Sequence, residues 1–217
     1  MTDTCIFDMD GVLIDSGAHH RSAWRALLDE LGVEPSEPAF WRVTIGRPAE
    51  EAMPLLLGRP LDPAEALRLA LRKRDLYARF AAEGLRSVPG VSGFLDDLVR
   101  LGVPRAVGTS ATRGDAVSLL EALGLRRYFD VIVTADDVRF GKPDPEVYLE
   151  SARRLGARPE ACLVFEDSVV GVRAARRAGM RAIGVTTAHT TDELVQAGAE
   201  TAIPDFEGVR WSAITRP

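Results

Sequence analysis

The chain has 217 residues, enough for one large domain or for a domain that carries an insert. With 46% hydrophobic and 27% charged residues it has the balance of a globular enzyme, and a net charge of -5 gives no basic face for nucleic acid. No apolar run approaches the roughly 20 residues of a membrane span, and the first apolar run begins too near the N-terminus to leave room for a cleavable signal, so a cytoplasmic protein with neither nucleic-acid nor membrane partners is expected.

The first predicted element is the strand in "TCIFD", which runs directly into Asp8-Met9-Asp10-Gly11. Two carboxylates at the end of a buried strand are expensive to desolvate and need a neutralising partner, for which a divalent metal is the economical choice. From about Ala18 to Arg86 the pattern is helical, with no convincing strand: "HHRSAWRALLDELG" opens the stretch and "AEALRLALRKRDLYARFAAEG" closes it. This predicts an all-helical second domain at residues 17–86, inserted into a core made of residues 1–16 and 87–217. The joins fall near Asp15–Ala18 and Leu85–Val88. An insert leaving at the first strand end is expected to hang over that end as a lid, and Asp15 and Ser16 are expected to cap its first helix.

Beyond the insert, short apolar runs alternate with helical patterns. The runs are "PRAVGT", "DVIVT", "ACLVFED" and "RAIGVTT"; the helices are "VSGFLDDLVRLG", "GDAVSLLEALGL", "PEVYLESARRLGA" and "SVVGVRAARRAG". Continuous rather than alternating strands suit burial on both faces, so the fold class is α/β, a doubly wound parallel sheet with a smaller helical domain. Cys5 and Cys162 sit in such strands and read as reduced core thiols rather than a disulfide.

A parallel sheet brings its polar strand ends to one edge. Here that edge collects Asp8 and Asp10, Thr109-Ser110, Lys142 of "FGKPDP" and Glu166-Asp167 of "VFEDS". Together they make a coherent phosphoryl-transfer site, because a metal and a lysine cancel the repulsion between an attacking carboxylate and a phosphate dianion. Asp8 is the natural nucleophile, and Asp10 is the acid that protonates the leaving oxygen and then the base that activates water. Asp8 and Asp167 would hold the metal, with Glu166 in a supporting role, and hard oxygen ligands point to Mg2+. Thr109, with the N–H groups of Ser110 and Ala111 at the start of the next helix, offers an anion cradle, and Thr109 could also cap that helix. Lys142 is one of only two lysines in a chain that otherwise uses arginine, which suggests a need for a compact point charge there. The other is Lys73.

Four stretches, "FDMDGVLIDS", "GTSA", "GKPDPEVY" and "VFEDSVVGVRAARRAGM", resemble, in order and spacing, the four signature motifs of the haloacid dehalogenase superfamily. The insert resembles the cap of its β-phosphoglucomutase-like and sugar-phosphatase branch, and the likeness spans essentially the whole chain. The resemblance implies a Rossmann-like core, Asp8 as nucleophile, Asp10 as acid and base, and Thr109 and Lys142 as phosphate binders. It also implies Mg2+ held by the Asp8 side chain, the Asp10 main-chain carbonyl and Asp167, with Glu166 nearby. Asp10 argues against dehalogenation, which needs no acid for a leaving group. Further substrate contacts are assigned to Gly11, Ser110 and Ala111 in the core and to His20, Gly46 and Arg47 in the insert. Adjacent His19 and His20 point about 100° apart on a helix and do not suggest a metal.

The leading expectation is a Mg2+-dependent phosphatase for a small phosphorylated metabolite, such as a sugar phosphate, working through an aspartyl-phosphate. A phosphosugar mutase uses the same core. However, the β-phosphoglucomutases carry a Lys just before the Gly of "TIGRPAEE" and an Arg three residues after it, where this chain has Ile45 and Ala49. A phosphoryl-accepting receiver is a third reading, disfavoured by Asp10 and the helical insert. The oligomeric state is open, with a monomer expected.

Overall fold

The computed structural model describes residues 3–34, 39–45, 47–82 and 84–215. It divides into two compact units, Met1–Asp15 with Arg86–Pro217, and Ser16–Leu85.

The first unit contains β1 (Thr4–Phe7), from which the chain passes into the second unit. That unit holds α1 (Gly17–Glu30), α2 (Ala39–Thr44), α3 (Ala49–Leu57) and α4 (Pro63–Ala81). The chain then returns through α5 (Val91–Arg100), β2 (Arg105–Gly108), α6 (Arg113–Ala122), β3 (Val131–Val133) and α7 (Glu146–Leu155). It ends with β4 (Cys162–Glu166), α8 (Val169–Arg177), β5 (Arg181–Val185), α9 (Thr191–Ala197), β6 (Thr201–Ile203) and α10 (Trp211–Ile214). The six strands form one sheet in the order β3-β2-β1-β4-β5-β6, with every pairing parallel. The central strands are buried along their whole length, as their unbroken apolar runs require.

Side chains alternate across the sheet. On one face Ile6, Ala106, Val164 and Ala182 pack with Val147 and Tyr148 of α7 and Val172 and Ala175 of α8. On the other, Phe7 and Phe165 stack at 5.3 Å and meet Phe94 of α5 and Phe206 at 5.1–6.2 Å. Phe7 and Phe165 directly precede Asp8 and Glu166 in the chain, so these two strand ends stand on a packed aromatic layer. Each favourable ring pair adds about 0.5–1.5 kcal/mol beyond its buried area. Cys5 and Cys162 are buried and free, and since their registered partners are Leu163 and Thr4 they fall on opposite faces.

Sheet order reverses at β1, whose neighbours β2 and β4 lead away in opposite directions. The carboxyl end of such a strand opens into a crevice, which is where sheets of this type bind ligands. Asp8 occupies that end, its N–H on the Phe165 carbonyl at 3.0 Å, level with Glu166.

In the helical unit α4 packs on α1 and α3. Trp24, Leu27 and Leu28 of α1 and Leu69, Leu76 and Tyr77 of α4 form its interior at helical spacing. Asp62 caps α4 by accepting the Glu65 N–H at 2.9 Å, with Pro63 at the first helical position. Among the described residues the unit has no strand.

Three features differ from what the sequence predicts. β6 is an additional strand, whose three residues are partly exposed and carry no apolar run to signal it. Ser16 occupies the N-cap of α1, but its backbone is already helical, at φ -98 and ψ -7, and its side chain makes no capping hydrogen bond. The helix after β2 starts at Arg113 and is capped by Thr112, which accepts the Asp115 N–H at 3.3 Å; Thr109 therefore does not cap it, and Ser110 and Ala111 lie in the loop before it.

Candidate active site

Lys142 reaches from the loop before α7 to the ends of two strands. Its Nζ donates to Asp8 Oδ1 and to Glu166 Oε1, both at 2.7 Å. Burial alone would lower the pKa of this ammonium, but the two carboxylates outweigh it and hold the value above that of an ordinary lysine, so Lys142 stays charged. Its ammonium also lies 4.9 Å from the centre of the Tyr148 ring.

Glu166 is fully buried and saturated with donors. Oε1 accepts from Lys142 and from the Tyr148 hydroxyl at 2.8 Å, while Oε2 accepts from Ser168 N at 2.8 Å and Ser168 Oγ at 2.9 Å. Ser168 also caps α8 by accepting the Gly171 N–H at 3.0 Å. A Cβ at Gly171 would overlap the Glu166 carboxylate, which explains a glycine inside this helix. Tyr148 is kept a neutral donor: burial, then the charges of Glu166 and Asp8, push its pKa well above the usual phenol value.

One oxygen from each of Asp8, Glu166 and Asp167 lies within 4.8 Å of the others, and all three residues are buried. Burial pushes the Asp8 carboxyl up to about 7; Lys142 opposes this, and Glu166 and Asp10 add to it. Burial, followed by Glu166 and Asp8, raises Asp167 in the same way. Three buried carboxylates against one lysine leave an excess of negative charge that a cation would cancel. The donor set is all oxygen and fits a hard divalent ion.

Gly11 follows Asp10 in a turn where the N–H groups of Val12, Leu13 and Ile14 all point at the Met9 carbonyl. Its φ of +73 and the crowding of Asp167, which a Cβ would overlap, both demand glycine. Thr109 at the end of β2 is buried, and its Oγ1 accepts the Ala111 N–H at 3.1 Å. The cradle foreseen from Thr109, Ser110 and Ala111 is thus folded on itself here, with the Ala111 N–H already engaged. Little in the sequence marks Tyr148, Ser168 and Gly171, because each looks like an ordinary helical residue. A Gly near the start of a helix that follows an acidic pair was the only available signal.

In the helical unit His20 Nδ1 lies 2.7 Å from Lys73 Nζ. An ammonium only donates, so Nδ1 accepts and the neutral ring carries its proton on Nε2. His20 stacks on Tyr77 with centroids 4.2 Å apart, and Lys73 lies 5.3 Å from the ring centres of both Trp24 and Tyr77. Lys73 went without a role in the sequence because it sits in the basic run "RKRD". Arg47 Nε is buried with no hydrogen-bond partner among the described residues. Gly46 lies outside the described residues.

A doubly wound sheet with an acidic cluster and a lysine at its switch point, interrupted after its first strand by a helical unit, defines a class of phosphoryl-handling hydrolases. The profile of the haloacid dehalogenase-like hydrolases matches residues 2–179. The chain is 37% identical over 220 residues to validoxylamine A 7'-phosphate phosphatase of Streptomyces hygroscopicus subsp. limoneus, covering 99% of each protein. It is 37% identical over 191 residues to fructose-1-phosphate phosphatase YqaB of Escherichia coli (strain K12), covering 83% of this chain and 94% of that protein. In structure it is similar to β-phosphoglucomutase from Clostridium difficile, with a TM-score of 0.86 at 27% identity over 99% of this chain and 96% of that one. The chain belongs to the haloacid dehalogenase-like hydrolase family. It is a hydrolase, and among the described residues no helix is long and apolar enough to cross a membrane.

Proposed function

We propose that the protein is a Mg2+-dependent phosphatase acting on a phosphorylated sugar or sugar-like metabolite. The observation that carries this reading is the Lys142 bridge between Asp8 and Glu166 beside Asp167, an arrangement that suits a carboxylate attacking a phosphoryl group. Relatives that share 37% identity are named for phosphatase activity on carbohydrate-like monophosphates, which supports it.

In this mechanism an Asp8 carboxylate oxygen attacks phosphorus and the bond from phosphorus to the leaving oxygen breaks. Asp10 gives that oxygen its proton, and an aspartyl-phosphate remains on Asp8. Asp10, now a carboxylate, takes a proton from water. The water oxygen attacks phosphorus, the bond to Asp8 breaks, and inorganic phosphate leaves. Lys142 holds Asp8 in place and offsets its charge throughout. Asp8, Asp167 and the Asp10 carbonyl would hold Mg2+, which when bound supplies neutralisation between these carboxylates and the phosphoryl oxygens. Glu166 serves through Lys142, Tyr148 and Ser168 rather than through the metal. Thr109 and the N–H of Ser110 contact the phosphoryl oxygens, and Ala111 joins them once its N–H turns away from Thr109.

The Ser16–Leu85 unit, joined to the sheet unit by two connections, is proposed to act as a lid, with His20, Gly46 and Arg47 as candidate substrate contacts and Lys73 as the partner of His20. A cross-link that locks the two units together should stop turnover, and undiminished activity in the locked protein would refute the lid. Likeness to a β-phosphoglucomutase keeps a mutase in view, but the uncharged Ile45 and Ala49 favour hydrolysis. The test is a phosphate-release screen over metabolite monophosphates with Mg2+, with and without glucose 1,6-bisphosphate. Steady phosphate release with little conversion of β-glucose 1-phosphate to glucose 6-phosphate is expected. Isomerisation that outruns release about tenfold would assign the chain to the mutases.

A further inference from the structure

The chain leaving β5 has no part in the catalytic reading, yet it crosses the same sheet edge. Thr186 continues the ladder, its N–H on the Ile203 carbonyl at 2.9 Å. The next residue turns inward, and Thr187 Oγ1 donates to the Gly11 main-chain carbonyl at 2.6 Å while lying 3.4 Å from Asp167 Oδ2. Two residues on, His189 Nδ1 meets the Asp167 main-chain carbonyl at 3.0 Å. A carbonyl only accepts, so His189 is the donor.

Gly11 makes this closeness possible. A Cβ there would overlap the Asp167 carboxylate and stand 2.9 Å from Thr187 Oγ1, so Gly11, Asp167 and Thr187 form one three-way contact. A threonine hydroxyl has a single proton, and the shorter contact takes it. Thr187 therefore gives Gly11 a hydrogen bond and gives Asp167 a neighbour of fixed position. The segment thus grips Asp167 by its backbone through His189 and clasps the turn after Asp10 through Thr187.

We propose that Thr187 is a positioning residue whose hydroxyl pins the Gly11 carbonyl, in the turn directly after Asp10, beside Asp167. It sets the spacing between the residue that moves the proton and a carboxylate that would hold the metal. This inference rests on the roles given to Asp10 and Asp167 above. Groups that orient metal ligands commonly matter by about ten- to a hundredfold in affinity or activity. A misplacement of about 1 Å at reacting groups costs about a hundredfold in rate.

Thr187→Val keeps the shape of the side chain and deletes the hydroxyl, while Thr187→Ser keeps the hydroxyl and deletes the methyl. Both are measured as the whole protein, by calorimetric titration with Mg2+ alone and by phosphate release from p-nitrophenyl phosphate. The Val variant should bind Mg2+ about ten- to a hundredfold more weakly and lose a similar factor in kcat, with KM little changed and the serine variant close to wild type. A Val variant within about twofold of wild type in both measurements overturns the proposal, as does a Ser variant as impaired as the Val variant. Thr187→Ala stands in for Val under the same thresholds should Val not fold. If the wild type releases no phosphate from any monophosphate, the phosphatase reading fails, and the calorimetric comparison still decides the role of Thr187.

Discussion

The chain has two lysines, one in each unit, and their surroundings differ in kind. Lys142 in the sheet unit is 2% exposed and clamped between two carboxylates. Lys73 in the helical unit is held by an imidazole nitrogen and two ring faces. The first lysine is the cation of a buried, carboxylate-rich cluster and cannot be removed without leaving Asp8 and Glu166 buried and unpaired. The second is seated among groups that shape and orient it. On the proposed function, the difference separates a region that carries out the reaction from one that chooses what is reacted on. Substitutions in the two regions should therefore fail differently.

The largest effect should come from Asp8→Asn. It keeps the shape of the cluster and removes the nucleophile, so turnover should fall by many orders of magnitude with the melting temperature little changed. Single-turnover phosphate release is the measurement; residual activity within about tenfold of wild type would remove Asp8 from its role.

Lys142→Met should be nearly as damaging to activity and far worse for the fold. It leaves Asp8 and Glu166 buried without their cation, and breaking such a pair costs about 3–5 kcal/mol. Urea unfolding of the metal-free protein measures this loss. Lys73→Met, by contrast, should leave stability almost unchanged.

The part of this design legible in the sequence was the part written at strand ends. Asp8, Thr109 and Glu166-Asp167 each terminate an apolar run, and a run that ends in a polar residue marks an edge before any fold is known. Tyr148, Gly171 and Thr187 act through contacts 18, 5 and 176 residues away in the chain, with Glu166, Glu166 and Gly11. Locally Tyr148 is a core aromatic, Gly171 a weak helix residue and Thr187 a strand end. Propensity could not choose Thr112 over Thr109 as the cap of α6, because both are good caps; only the place where the backbone turns helical decides. Lys73 was hidden because a basic run on an amphipathic helix usually faces water, and nothing local shows that one of its members turns inward to His20.

Asp167 and Glu166 sharpen the comparison within the sheet unit. Glu166 has its four contacts supplied by protein donors, whereas Asp167 Oδ2 has only the long approach of Thr187 as a described side-chain partner. Asp167→Ala should therefore weaken Mg2+ binding far more than Glu166→Gln does. Glu166→Gln should lower stability more, because an amide cannot accept from every donor that a carboxylate serves. Calorimetry with Mg2+ and thermal melts on the two variants test this, and a reversed order would exchange the two roles.

In the helical unit Lys73→Met should be selective. On a sugar phosphate KM should rise by up to about tenfold with kcat nearly unchanged, as loss of uniform binding requires. On a small aryl phosphate neither should move. Equal losses on both substrates would place Lys73 in the chemistry and erase the contrast between the two lysines.

The smallest effect lies at the surface of the sheet unit and separates its buried charges from its exposed ones. Partial burial would raise the Asp137 carboxyl, but hydrogen bonds from Arg154 and Thr134 and the charge of Arg113 hold it well below the usual carboxylate range. Hydrogen bonds from Arg153 and Arg154 lower Glu150 to about 2. Both groups have folded pKa values below their unfolded ones. Their contribution is therefore complete above the ordinary carboxylate pKa of about 4 and is lost as the pH falls from there through about 2. Arg113 and Arg154 are 47% and 30% exposed, so solvent screening limits the whole network to about 1 kcal/mol. Arg154→Gln should flatten this acid limb of a stability–pH curve by a few tenths of a kcal/mol and leave the curve above pH about 5 lower by the same amount. Added salt of about 1 M should mimic the substitution, because it shortens the screening length to about 3 Å. The buried Lys142 cluster should be far less sensitive to salt. If salt weakens the Lys142-dependent part of the stability as much as the Arg154-dependent part, the cluster is open to water and its charges are not the buried set described above.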